Sequence, residues 1–368
     1  MNNLKEEIKL PLYKLYDKYI STIAEKYKID VSELYELSGL YNTNINNRIN
    51  LGLCCINNEL RNQKPSVFNS RTCTRKTFSV EKARELSLQN VKDIILMVEW
   101  NQKNDVKCFR LSSNIFPHFT DTETQKYDIS HVSNELRQAG DLIKKYNHRV
   151  LMHPGQYNQV GAHSEKVFQK TIEELSHHAD ILNAMGIDNN GVLIVHGGGM
   201  YGNKPETMQR WIKNYFRLPK CVQKRLVIEN CEKCYNLEEV LYISTEVEKR
   251  GGTLPVVFDN HHYNCYRQLH PNERIKSISE LIPEVLKTWG DRRPVMHISE
   301  QGSGKCGHHS DYITYIPDYF LEIYDKHGVS FDLEIEAKAK EAAIKKLYKK
   351  YLKKKKSCVI KNNERYYI

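Results

Sequence analysis

Six successive apolar runs in this chain end in, or lead straight into, a side chain able to hold a metal or move a proton. RVLM (149–152) runs into His153, and GVLIVH (191–196) closes on His196. RLVIE ends in Glu229, and PVVFD ends in Asp259 with His261 and His262 just beyond. PVMHIS contains His297, followed by Ser299, Glu300 and Gln301, and FDLEIE ends in Glu336. A further pair, His308 and His309, lies between the last two runs. One histidine at a strand end is ordinarily structural. Six successive ends are different, because imidazoles and carboxylates gathered in one cup are costly unless cations neutralise them. Imidazole with carboxylate and no thiolate suits Mn²⁺, Zn²⁺ or Fe²⁺ better than Mg²⁺ or Ca²⁺ alone. That many candidate ligands exceed the needs of one ion, so two or three ions bridged by carboxylates are expected. Two ions roughly 3.5–4 Å apart are the usual arrangement for phosphodiester hydrolysis.

Such side chains need a scaffold that brings strand ends together. Two further runs, LGLCCI (51–56) and KCFRL (107–111), precede the six, which makes eight. They alternate with amphipathic stretches at 80–100, 132–145, 165–185, 204–216, 237–249, 275–288, 315–325 and 337–352. Short Val/Ile/Leu-rich strands between helices predict parallel βαβ units buried on both faces. Eight of them predict an α/β fold that closes as a single (β/α)8 TIM barrel, whose active site lies at the C-terminal ends of the strands. The barrel domain is expected over residues 47–352. A helical N-terminal extension over 1–46, ending in the turn-rich linker Asn42–Asn50, and a basic C-terminal tail over 353–368 complete the organisation.

The chain has 368 residues, 40% hydrophobic and 27% charged, a globular balance. The stretch 345–356 holds eight lysines and no acid, against a net charge of +10 overall, so the body is near neutral. No apolar run reaches the length of a membrane helix, and MNNLKEEIKL has no signal-peptide core. A soluble, intracellular protein with reduced cysteines is expected, nuclear and cytoplasmic locations both open. Cys231-x-x-Cys234 stands without a second such pair and reads as loop cysteines rather than a zinc or redox motif. The turns His153-Pro-Gly-Gln-Tyr157 and His196-Gly-Gly-Gly-Met200 suit either close backbone approach to a ligand or a tight strand-to-helix turn. Gln156 and Tyr157 project from the same rim, an amide and an aromatic suited to probing a base.

These residues resemble the UvdE-type ultraviolet-damage endonucleases, TIM-barrel repair nucleases related to endonuclease IV. The matching motifs run from about Leu51 to Glu341. They include Arg71-Thr-x-Thr74, Phe109-Arg-Leu-Ser-Ser113, His153-Pro-Gly-Gln-Tyr157, Glu229-Asn230, Val257-Phe-Asp259 with His261-His262, His309-Ser-Asp311 and Glu336-Ala-Lys-x-Lys-Glu341. The resemblance implies a metal-dependent endonuclease that nicks double-stranded DNA 5′ to cyclobutane dimers, 6-4 photoproducts and other lesions, working as a monomer. It implies His153, His196, Glu229, Asp259, His262, His297, His309 and Glu336 as metal ligands. Catalytic roles fall to Glu229, Glu336 and His309, with Glu229 and Glu336 as bridging carboxylates. Two or three divalent ions are implied, manganese foremost, with zinc, magnesium or cobalt as alternatives. Gln156 and Tyr157 match the pair that enters the duplex at the lesion. Asn114, which stands where some members have histidine, and Lys338 are candidate DNA contacts. Val295 stands where some members carry a lysine, and Leu53 where some carry an aromatic residue. An apurinic endonuclease like endonuclease IV, a metal-dependent sugar isomerase and a non-enzymatic DNA-binding protein are the rival readings.

Overall fold

The computed structural model describes residues 48–351 in full and the backbone of 359–361 and 364–366. The expected N-terminal extension and the lysines 353–356 lie outside the described residues. Eight parallel strands form a closed barrel in chain order, β1 (Ile49–Cys54), β2 (Cys108–Leu111), β3 (Arg149–Met152), β4 (Leu193–His196), β5 (Leu226–Glu229), β6 (Val256–Asp259), β7 (Val295–Ile298) and β8 (Phe331–Ile335). Closure is made by β8 on β1, with Gly52 opposite Glu334 and Leu53 opposite Ile335. Each strand coincides with one of the eight expected runs, trimmed at its ends. The exception in direction is β1, which starts at Ile49, so the last two residues of the expected linker are strand.

Alternation along the strands sorts the barrel interior into layers. Two residues below the rim on β2 to β7 lie Cys108, Leu151, Ile194, Val227, Val257 and Val295, a separate buried apolar cluster. The outward residues, such as Phe109, Met152, Val195, Ile228, Phe258 and Met296, pack under the helices in the main core.

The helices outside follow the expected periodicity, with differences that have local causes. The helix Ile278–Thr288 starts three residues late because Ser277 and Glu280 form a capping box, the Ser277 N–H donating to Glu280 Oε2 at 2.9 Å. The stretch 315–325 is two short helices, Asp318–Leu321 and Ile323–His327, the second ended by Gly328 at φ 67°. The last helix spans Glu341–Tyr351 rather than beginning at Ala337. The residues before it pair with the loop after β7 instead, Lys338 N–H donating to Ser310 O and Ala339 N–H to Asp311 O. A helix not expected from the sequence, Asn260–Leu269, follows β6 without a loop. In the tail, Val359–Lys361 and Glu364–Tyr366 pair as antiparallel strands. No helix among the described residues is long and apolar enough to cross a membrane.

Candidate metal centre

The C-terminal rim brings all eight expected ligands into one cup, with Glu229 at its centre. Glu229 ends β5 and is fully buried. Its Oε2 lies 2.9 Å from His153 Nε2 and 3.8 Å from His196 Nε2. Its Oε1 lies 3.0 Å from His297 Nδ1 and 3.2 Å from His262 Nδ1. One carboxylate thus faces two pairs of imidazoles from four elements. Three groups of donors close enough to share an ion follow: His153, His196 and Glu229; Glu229, Asp259 and His262; Asp259, His297 and Glu336. Glu229 and Asp259 each belong to two groups, whereas Glu336 belongs to one. Glu336 also receives Arg110 Nη2 at 2.5 Å and stands 3.7 Å from His309 Nε2.

Asp259 shows how local structure prepares a ligand. It is both the last residue of β6 and the N-cap of Asn260–Leu269, its Oδ1 accepting from His262 N–H at 2.7 Å. That bond satisfies one oxygen and leaves Oδ2 buried without a hydrogen-bond partner. His196 Nδ1 is likewise buried and unsatisfied. Native interiors rarely leave such atoms orphaned, and a donor set of imidazoles and carboxylates fits divalent transition ions. The residues present therefore fit the metal that the sequence implies.

The electrostatics agree. Burial pushes the Glu229 carboxyl up, but the His297 and His196 charges and the bonds from His153 and His262 outweigh it and hold the group well below the usual range. Burial opposes charge on His262 and His297 as well, yet the facing carboxylates raise both well above an ordinary imidazole. His196 goes the other way, lowered to about 4, because burial dominates there. Burial raises Glu336 too, but Arg110 and His297 pull it below the carboxylate range.

The expected DNA-facing residues stand beside the cup. Gln156 is exposed and Tyr157 is 67% exposed. The Tyr157 ring lies over Gly155, where a Cβ would come within 2.4 Å of Cε1 and push the ring aside. Its hydroxyl donates to Glu174 Oε1 at 2.8 Å, tying the exposed ring to a buried carboxylate. Asn114 is exposed and lines, with Tyr157 and Glu174, a cavity of about 520 Å³. Lys338 is exposed just past Glu336. The His196-Gly-Gly turn is a packing device: a Cβ at Gly197 would strike Tyr235 at 2.5 Å, and Gly198 has φ 86°. Cys231 Sγ accepts the Cys234 and Tyr235 N–H groups at 3.2 Å each, a local loop bond, and the described cysteines form no disulfide.

Two residues of the cup were not expected from the sequence. Arg110 enters from β2 between Glu336 and Glu334, its Nε 3.5 Å from Glu334 Oε2. Glu334, two residues before Glu336 on β8, is fully buried and meets His297 Nε2 at 3.1 Å. Strand alternation was the available signal, since residues 332, 334 and 336 share one face.

Comparison with known proteins agrees with this geometry. The family model described as UV-endonuclease UvdE matches residues 49–364. A putative UV-damage endonuclease of Acanthamoeba polyphaga mimivirus is 33% identical, over 83% of this chain and 92% of the relative. A UV-damage endonuclease of Schizosaccharomyces pombe is 35% identical over 82% of this chain, which spans only 50% of that longer relative. The crystal structure of SacUVDE superposes with a TM-score of 0.71 at 31% identity, covering 82% of this chain and 97% of that one. Endonuclease IV from Thermus thermophilus, at 13% identity and a TM-score of 0.50 over 83% of this chain and 98% of that one, shares the fold. A barrel whose rim assembles those ligands, matched along nearly its whole length by one family model, belongs to the UV-endonuclease UvdE family.

Proposed function

We propose that this chain is a metal-dependent DNA repair endonuclease that nicks duplex DNA immediately 5′ to ultraviolet photoproducts, cyclobutane dimers and 6-4 photoproducts among them, and accepts other lesions. The observation that supports this most strongly is the set of three ligand groups linked through Glu229 and Asp259 at the strand ends. His153, His196, Glu229, Asp259, His262, His297, His309 and Glu336 would hold two or three divalent ions, manganese foremost. Such ions, when bound, supply water activation at neutral pH and positive charge at the scissile phosphate. Glu229 keeps four imidazoles facing one centre. Glu336, held by Arg110, presents its second oxygen toward His309, at the mouth of the cup where a phosphate would enter. Tyr157 and Gln156 would enter the duplex, Tyr157 as a ring braced by Glu174. Asn114 and Lys338 would contact the backbone on either side. A photodimer weakens stacking, so kinking and extruding it cost less than at intact DNA, and varied lesions can share one site.

Incubating the monomeric protein with a duplex carrying one defined cyclobutane dimer, with Mn²⁺ or with EDTA, tests the reading. The expected result is one nick directly 5′ to the dimer with Mn²⁺ and none with EDTA. An intact dimer duplex, with cutting confined to an abasic site, would favour the apurinic-endonuclease reading instead.

A further inference from the structure

The layer beneath the cup is apolar on five strands, through Leu151, Ile194, Val227, Val257 and Val295, and Cys108 continues it on β2. On β8 the same level holds Glu334, 0% exposed, a carboxylate with no backbone donor on it among the described residues. A carboxylate in that position is costly and calls for a reason. Room is made for it: Gly52 lies opposite on β1, and a Cβ there would sit 3.3 Å from Glu334 Cα and Cγ. Two cationic or polar groups face it, Arg110 Nε at 3.5 Å and His297 Nε2 at 3.1 Å.

The His297 ring is the link. Its Nδ1 faces the ion groups, 3.0 Å from Glu229 Oε1, 3.7 Å from Glu336 Oε1 and 3.9 Å from Asp259 Oδ2. Its Nε2 faces away from them, down the barrel, to Glu334. A metal-bound imidazole must offer a bare nitrogen to the ion, and the hydrogen bond made by the other nitrogen fixes which one that is. We propose that Glu334 is the positioning residue that holds His297 with Nδ1 toward the divalent ion and Nε2–H toward the barrel interior. Arg110 completes the device by joining Glu334 to Glu336, so that one cation ties the ligand carboxylate to the supporting one. The other site histidines lean on loop backbone instead: His153 Nδ1 meets the Pro154 carbonyl at 3.3 Å and His262 Nδ1 the Asn230 carbonyl at 3.0 Å, while His262 Nε2 stands 4.0 Å from Glu232. His297 is therefore the ligand whose orientation is set from within the barrel.

This inference rests on reading the cup as a divalent-metal centre, and its test separates the two. Calorimetric titration of the full-length wild-type chain and Glu334→Gln with Mn²⁺ should show binding to both, weakened by about 10- to 100-fold at one site in the variant. The far-ultraviolet circular dichroism of the two ion-free proteins should match. Equal Mn²⁺ affinity in wild type and Glu334→Gln would overturn the role of Glu334 while leaving the metal centre standing; no binding by wild type would overturn the centre itself. Should the variant not fold, ¹⁵N spectra of histidine-labelled wild type loaded with Zn²⁺ decide without it. A protonated Nε2 and a metal-shifted Nδ1 at His297 support the proposal, and the opposite assignment overturns it.

Discussion

The two ends of the barrel bury charge in opposite ways. At the N-terminal end, Asp332 of β8 accepts from Asn50 Nδ2 at 2.8 Å, Arg149 Nη1 at 2.9 Å and Arg293 Nε at 2.8 Å. That carboxylate is fully compensated by the chain's own donors. At the C-terminal end, four imidazoles crowd around Glu229, while Asp259 Oδ2 and His196 Nδ1 have no hydrogen-bond partner. The same strand, β8, joins the two, with Asp332 and Glu334 on one face and Glu336 continuing it just past the strand end. The contrast teaches that a buried charge paired by protein is a structural plug. A buried cluster left under-compensated is a receptor for something else, here cations.

Removing the plug should have the largest effect, and on stability alone. Asp332→Asn leaves Arg149 and Arg293 facing a neutral amide and should cost about 3 kcal/mol by denaturant titration. The folded fraction should keep its full complement of divalent ions. A loss of ions without loss of stability would erase the distinction between the two ends. Glu229→Gln should strike ions and activity. Nicking of a dimer-containing duplex should fall by at least about a hundredfold, since a residue shared by two ion groups matters more than an outer-shell partner worth 10–100-fold. Counted on the folded fraction, this loss stands apart from the stability that the change also costs by leaving imidazoles facing a neutral amide.

Tyr157→Ala lies at the C-terminal rim but outside the charged cluster, and should sharpen the contrast by leaving the ions alone. Affinity for a dimer-containing duplex should drop by roughly 1–3 kcal/mol, the worth of one base–aromatic stack. The loss should be smaller on a dimer already unpaired in a mismatch. Equal losses in gel-shift titrations on the two substrates would remove the probing role. A smaller effect concerns protons. Burial lowers His262 and His297, but the facing carboxylates raise both above an ordinary imidazole and so favour their protons, and ligation requires them bare. Loading should therefore release protons, and ion affinity should rise with pH. Calorimetry in buffers of different ionisation enthalpy would read the protons released.

Much of this was legible before the structure. The eight strands were visible as apolar runs, and reading the residue at the end of each run located the cup, because barrel geometry converts strand ends into neighbours. The same habit hid Arg110 and Glu334, which sit inside their runs; alternation every second residue would have exposed both. The helix Asn260–Leu269 escaped because NHHYNCYRQL has no apolar stripe, its start being set by the Asp259 cap. The bracing of Tyr157 by Glu174 depends on a contact across 17 positions that no local pattern announces. The late start of the final helix has the same origin, in backbone bonds to the loop after β7.

The central claim is that the C-terminal end of the barrel, and not its N-terminal end, is built to hold several divalent ions around Glu229. Native mass spectrometry of the Mn²⁺-equilibrated chain tests it directly, with Glu229→Gln and Asp332→Asn measured alongside. Two or three ions per wild-type chain, the same number in folded Asp332→Asn and fewer in Glu229→Gln would bear the claim out. No ion on the wild-type chain, or an unchanged count in Glu229→Gln, would contradict it.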